Sequence, residues 1–330
     1  MVKSLTPNPQ KLIELGKAVL IRAGVLPFIL VAILVIFGVW NPVFLSSANM
    51  FMVSRSATYL IVLTLAQMLA LLSAGLDLSL GAAIALISVV SAMVMVALQA
   101  YPGVDVFVGV LAGIGVGALV GATNGFIIAF FQVSPFLVTL GMSYIALALS
   151  LTLSRGVPIW GLPGSFVDTL GTGTVLGVAV PVIVTILLVG VMYFILSWTR
   201  FGHNIYALGG NPEAAIRAGI SFRRYTFLTY MTVGILVGLA GVMLTARVGY
   251  GEPTLGLPMP LLSIAAAVLG GVSLLGGEGK LYGAILGAAA ITLLRNGMDV
   301  VGISSIVQMV IVGVVLVIAL ALEEYRRRLR

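Results

Sequence analysis

The chain has no cysteine and one histidine, His203, so it cannot build a disulfide framework, a thiol nucleophile or a Cys- or His-clustered metal site. Charge is scarce too. Asp, Glu, Lys and Arg make up 8% of the 330 residues, against about 25% in soluble domains. No nucleotide loop makes up for these absences. The nearest candidate, Gly276 to Leu281 (GGEGKL), has leucine where a magnesium-holding hydroxyl belongs, and Leu274 stands at the first-glycine position. No catalytic residue, metal ligand or cofactor is therefore expected. Ion-coupled carriers place carboxylates or histidines inside their bundles, yet here Asp77 is the one acidic residue close to an apolar interior. If the chain works in active transport, the energy comes from another subunit.

What the chain has is length without charge: 61% apolar residues and 40 glycines. About 20 apolar residues cross the hydrocarbon core as a helix. Uncharged runs of that order lie between Arg22 and Arg55, Arg55 and Asp77, Asp77 and Asp105, Asp168 and Arg200, Arg224 and Arg247, Glu252 and Glu278, and Asp299 and Glu323. The longer run from Asp105 to Arg155 is broken around Asn124 to Pro135 and holds two helices. Lys280 to Arg295 is shorter, but its flanking cations can snorkel. The expectation is an all-α polytopic membrane protein of about ten transmembrane helices. The runs are continuous and lack the alternation of a barrel.

Basic residues fix the orientation, because short cytoplasmic loops retain Lys and Arg. With both termini inside, thirteen of the seventeen basic residues are cytoplasmic, and only Arg55, Arg155, Arg247 and Arg295 lie outside. The net charge of +7 is thus a topology signal and does not point to nucleic acid. The chain divides into a cytoplasmic segment 1–24, a transmembrane domain 25–322 with an external loop 155–177 and a cytoplasmic loop 199–225, and a basic tail 323–330. Val25 to Trp40 is longer than a signal-peptide core, and Ser46 to Ala48 is a weak cleavage site, so the first segment is expected to be retained.

Three stretches carry the functional signal. In the loop 199–225, Gly209 and Gly210 give the chain freedom to turn. Asn211 can cap a short helix that begins with Pro212 and Glu213, and Gly219 can end it. Ala214 and Ala215 offer a slim face, and Glu213 and Arg217 stand one turn apart. So short a helix needs a surface to dock on, either the bilayer and its own protein or the groove of a partner. The second stretch, SAGLDLSLGAA at 73–83, sets Asp77 and Ser79 among glycines. It reads as a broken or re-entrant segment that shapes or gates a path, together with Asn124, or as a connection in which Asp77 caps the next helix. The third, residues 268–288, is another glycine-dense interruption, and its place suggests an inverted repeat of the halves 55–154 and 225–322. Separately, Gly109, Gly113, Gly117, Gly121 and Gly125 recur every four residues and form one ridge for close helix packing.

At these residues the chain resembles the ribose-type permeases of bacterial sugar ABC importers, a family that also serves xylose, arabinose, galactose, inositol and autoinducer-2. The resemblance runs from about Ser56 to Leu320. It rests on SAGLDLSLG at 73–81, NGFIIAFFQVSPFLVTLG at 124–141, TRFGHNIYALGGNPEAAIRAGI at 199–220 and LGGVSLLGGEGKLYGAILGA at 269–288, in that order. It implies a homodimer or heterodimer of permeases, a cytoplasmic ABC ATPase that receives residues 209–219, a periplasmic solute-binding protein and a sugar-like substrate, all at the cell inner membrane. The family usually has a Glu-Leu-Asp-Ala-Ile-Ala-Ala run before the LGG segment. Here Met259, Pro260, Leu261, Leu262 and Ser263 precede Ile264 to Ala266, without the acidic pair. A secondary carrier or channel would fit the same span count. A membrane-embedded enzyme would need clustered reactive side chains that the chain lacks.

Overall fold

The computed structural model describes residues 26–328; the segment 1–24 and the last two residues of the 323–330 tail lie outside the described residues. The chain begins with α1 (Leu26–Trp40), turns at Pro42–Leu45 and enters α2 (Ser47–Leu72), where the Ser46 hydroxyl accepts from the Asn49 amide. Then follow α3 (Leu80–Ala97), α4 (Val104–Phe131) and α5 (Pro135–Ser154). A hairpin of β1 (Thr174–Val175) and β2 (Val178–Ala179) precedes α6 (Val180–Trp198), α7 (Arg200–Gly210) and α8 (Pro212–Arg217). The chain closes with α9 (Phe222–Val248), α10 (Met259–Leu269), α11 (Leu281–Val300) and α12 (Ser305–Arg328).

Seven helices, α2 to α6, α9 and α11, are long and apolar enough to cross a membrane. Shorter apolar helices occupy Leu26–Trp40, Met259–Leu269 and Ser305–Val315. Each expected interval therefore holds the apolar helix expected of it, two in the run from Asp105 to Arg155, but not always a full-length one. The run from Glu252 to Glu278 yields only eleven helical residues. Pro253, Pro258 and Pro260 delay the start of α10, and Gly270 with Gly271, at φ +80°, ends it. Conversely, the short run from Lys280 lies in a helix that continues past Arg295 to Val300, because Arg295 and Asp299 sit near its end. The hairpin departs from the all-α expectation. Its two turn residues, Leu176 and Gly177, both have positive φ (+53° and +79°), as a tight primed turn requires.

α2, α3 and α9 form the centre of the bundle. Over their most apolar stretches they are 78%, 72% and 67% buried, against 22% for α4 and α6. Composition does not set this order, because α4 and α6 are at least as apolar as α2 and α9, yet they leave large side chains such as Leu119 and Phe194 facing outward. The pairing of α4 with α9 is the most extensive in the fold. All five ridge glycines are buried on α4. Gly109 faces Met95 of α3, Gly113 meets Ser91 and Val242, and Gly117, Gly121 and Gly125 lie directly on the α9 backbone around Phe227 to Gly238. α9 brings its own glycines to the crossing, Gly234 and Gly238, also four residues apart.

The element order re-pairs the two interruptions. Sequence position set residues 268–288 opposite 73–83, but each half opens with a long helix (α2 or α9) followed by an unwound segment (73–79 or 249–258). The glycine turn 270–280 comes one helix later. The two unwound segments share a local bond pattern. Asp77 Oδ1 accepts from the Ser79 amide at 2.8 Å and hydroxyl at 2.6 Å, and Glu252 Oε1 accepts from the Thr254 amide at 3.2 Å and hydroxyl at 2.6 Å. The first turn of α3, just after the first segment, meets the end of the second: a methyl on Gly81 would stand 2.9 Å from Pro260 and 3.1 Å from Leu257, so glycine is what permits the approach.

Candidate functional site

Residues 73–79 leave the helical path at Ala74, which has φ +57°, and resume it at Leu80. Within this stretch Asp77, Ser79 and Asn124 come together: their exposures are 2%, 1% and 0%. The Ser79 hydroxyl donates to Asp77 and accepts from Asn124 Nδ2 at 2.9 Å, so the three side chains form one chain of hydrogen bonds from the unwound segment to α4. Asn124 Oδ1 has no partner among the described residues. Asp77 does not cap α3 as the alternative reading held. Its carboxylate closes a turn on the Ser79 amide, ahead of the helix, and Ser79 is the N-cap residue with no side-chain capping bond.

One further residue holds the segment, and sequence reasoning missed it. The Leu76 carbonyl accepts from the Tyr230 hydroxyl at 3.2 Å, while the nearby Thr139 hydroxyl donates at 2.8 Å to Pro135 in its own helix. A methyl on Gly75 would run into the Tyr230 hydroxyl. Inside an apolar run, a single Tyr gives no sign of which distant carbonyl it reaches. Only the passage of α9 beside the break supplies the pairing.

The loop 199–225 contains two helices where one was expected. α7 escaped notice because Gly202, Gly209 and Gly210 depress helix propensity, although Thr199 accepts from the Gly202 amide as an N-cap. Gly209 is helical and buried, and a methyl there would overlap the Leu72 carbonyl. Its role is close approach rather than freedom to turn; Gly210 is exposed and ends α7. In α8, Asn211 Oδ1 accepts from the Ala214 amide at 3.0 Å, Pro212 occupies the first turn, and Gly219, at φ +88°, follows the C-cap. Glu213 and Arg217 approach to 3.6 Å with both side chains over 80% exposed, a pairing worth about 0.3 to 0.5 kcal/mol. The slim face is divided. Ala214 is exposed, but Ala215 is 5% exposed and packs against the protein itself. The outer surface of α8 is therefore Glu213, Ala214, Ile216 and Arg217.

Residues 49–320 match the family model described as branched-chain amino acid transport system / permease component. The chain belongs to this permease family. It is 34% identical over 298 residues to the D-allose transport system permease protein AlsC of Escherichia coli K12, covering 90% of each chain. It is 36% identical over 299 residues to the ribose import permease protein RbsC of Bacillus subtilis 168, covering 90% of this chain and 91% of that one. The fructose import permease protein FrcC of Rhizobium meliloti is 33% identical over 314 residues, covering 93% and 86%. No solved structure matches.

In the permease, the bonding at Asp77 makes a direct prediction. Asparagine keeps an oxygen that can accept both Ser79 bonds, whereas leucine leaves a buried amide and hydroxyl unpaired, at about 1 to 3 kcal/mol each. Asp77→Asn should retain most of the transport activity and Asp77→Leu should lose it, measured as solute uptake by vesicles with matched permease levels. Equal failure of both variants, with wild-type uptake abolished by an uncoupler at saturating ATP, would assign Asp77 to proton transfer instead.

Proposed function

We propose that this protein is the membrane-spanning permease subunit of an ABC importer that carries a sugar or sugar-like solute across the cell inner membrane, and that ATP hydrolysis belongs to a separate subunit. The observation that carries this reading is its near-full-length similarity to permeases whose names specify allose, ribose and fructose import. The assembly is two permeases, identical or closely similar, with cytoplasmic ABC ATPases and a periplasmic solute-binding protein. Ten spans with cytoplasmic termini suit the charge distribution. Arg200, Arg217, Arg223, Arg224 and Lys280 cluster around α7, α8 and the turn they touch, while Arg55 reaches the Gly171 carbonyl in the external loop. The halves 55–154 and 225–322 are read as an inverted repeat, supported by the matching Asp77–Ser79 and Glu252–Thr254 turns. The unwound segments are the parts that change shape, because irregular backbone is tolerated at membrane depth only where protein encloses it or it lines a cavity.

In this mechanism α8 is the coupling helix. It receives the closing motion of the ATPase and passes it through α7 to the bundle, and the Asp77–Ser79–Asn124 chain holds the cytoplasmic part of the path shut until that motion arrives. The test is uptake of labelled ribose, allose and fructose into proteoliposomes that contain the permease with its cognate ATPase and binding protein. Uptake of at least one sugar should require ATP and the binding protein. Uptake that continues without ATP and follows the membrane potential would make the protein a secondary carrier or channel.

A further inference from the structure

Three segments far apart in the chain meet backbone to backbone at one point: the end of α2 at Leu72 to Ala74, the end of α7 at Gly209 and Gly210, and the turn at Gly276 and Gly277 between α10 and α11. The Gly277 amide donates to the Leu72 carbonyl at 3.1 Å. Gly209 lies against both: a methyl on it would overlap the Leu72 carbonyl and stand 2.6 Å from the Gly277 nitrogen. From the third side, a methyl on Gly276 would be 2.8 Å from the Ala74 nitrogen and 2.8 Å from the Gly209 carbonyl oxygen. One side chain ties the same elements, since the Tyr206 hydroxyl on α7 donates to the Gly279 carbonyl at 2.8 Å. Gly276 and Gly277 have φ of +94° and +68°, so the turn is a glycine conformation as well as a close contact.

Contacts between backbones have no rotamers in which to absorb a displacement, and packed protein compresses little. α7 runs through Asn211 directly into α8. A shift of α8 is therefore delivered at once to the stretch that leads to Asp77 and to the turn that leads into α11. We propose that Tyr206, Gly209 and Gly277 are positioning residues that bind the interruptions of both halves to the coupling helix, so that one ATPase stroke moves the two together. This rests on the importer reading above, and adds that the stroke is divided between the halves at this junction.

The experiment measures solute imported per ATP hydrolysed by the complete reconstituted transporter. Tyr206→Phe deletes one hydroxyl, and Gly277→Ala drives a methyl into the Gly210 backbone. Gly190→Ala on α6 is the control, because its methyl would meet nothing within 4 Å and it lies outside the junction. Tyr206→Phe and Gly277→Ala should assemble and hydrolyse ATP while solute per ATP falls at least about fivefold, the lower end of site-to-site coupling; Gly190→Ala should keep the wild-type ratio. If Gly277→Ala does not assemble, Tyr206→Phe decides by the same ratio. A wild-type ratio in Tyr206→Phe, or hydrolysis and uptake falling in parallel, would reduce the junction to a fold contact and overturn the proposal. Failure of the importer reading is told apart because the wild type would then import without the ATPase, which overturns both.

Discussion

Gly117→Leu should abolish the yield of folded, detergent-stable permease, while Gly115→Leu two residues away should leave it close to wild type. Both substitutions raise helix propensity equally, so the difference isolates packing. At Gly117 a side chain would enter the α9 backbone, overlapping the Gly234 carbonyl and standing 2.8 Å from the Gly238 Cα and nitrogen. Neither helix can yield, because α9 is itself held by α2, α3 and α4. At Gly115 an added carbon meets nothing within 4 Å. Overpacking a fitted core typically costs about 1 to 3 kcal/mol, and backbone in place of a movable side chain puts Gly117→Leu at or above the top of that range. Leu111→Ala, at a residue 51% exposed on the same helix, serves as a second control; its effect should stay within about 0.5 kcal/mol, as for outward-facing substitutions generally. Size-exclusion profiles of the three variants extracted side by side are the measurement. Equal monodisperse yields from Gly117→Leu and Gly115→Leu would mean that the α4–α9 contact does not hold the bundle together.

The physical origin of each signal explains what was legible in the sequence. A four-residue glycine period lies on one helix face wherever the helix goes, so the ridge from Gly109 to Gly125 could be read locally. The same is true of α8, because a cap, a first-turn proline and a terminating glycine act within the nine residues from Asn211 to Gly219. The grouping of Asp77, Ser79 and Asn124 was legible only in part. Asp77 and Ser79 are sequence neighbours, but the bond from Asn124 depends on how α4 crosses α3. Tyr230 left no local trace, since it completes its bond across a tertiary contact. Gly209 was misread for a related reason: a glycine freed to turn and a glycine pressed against a carbonyl look alike until the second chain segment is in place. The length of α10 failed on proline spacing, which shortened a run that charge spacing alone measured as a full span.

Ile216→Asp should leave the permease inserted and undiminished in yield, yet abolish its association with the ATPase and with it solute uptake. Ile216 is 51% exposed at the outer surface of α8, and the short helix holds its shape through Asn211 and Gly219 without help from that side chain. A charge there costs the isolated permease little. In a complex the same position would be desolvated, and an unpaired carboxylate in a closed interface is strongly unfavourable. Loss of an anchoring contact of this kind is commonly worth about 2 kcal/mol or more, enough to reduce co-purified ATPase at least tenfold. Ala215→Asp provides the contrast. Ala215 is 5% exposed and faces the protein, so its substitution places the charge inside the permease and should lower the yield of the subunit itself before any partner is involved. Ala214→Asp, on the exposed side, should follow Ile216→Asp. If α8 instead rests free in solvent or on the bilayer, Ile216→Asp and Ala214→Asp will co-purify normal amounts of ATPase and support normal uptake. That result would remove α8 from the transmission path and leave the contact to be sought on the neighbouring basic residues Arg200, Arg223 and Arg224.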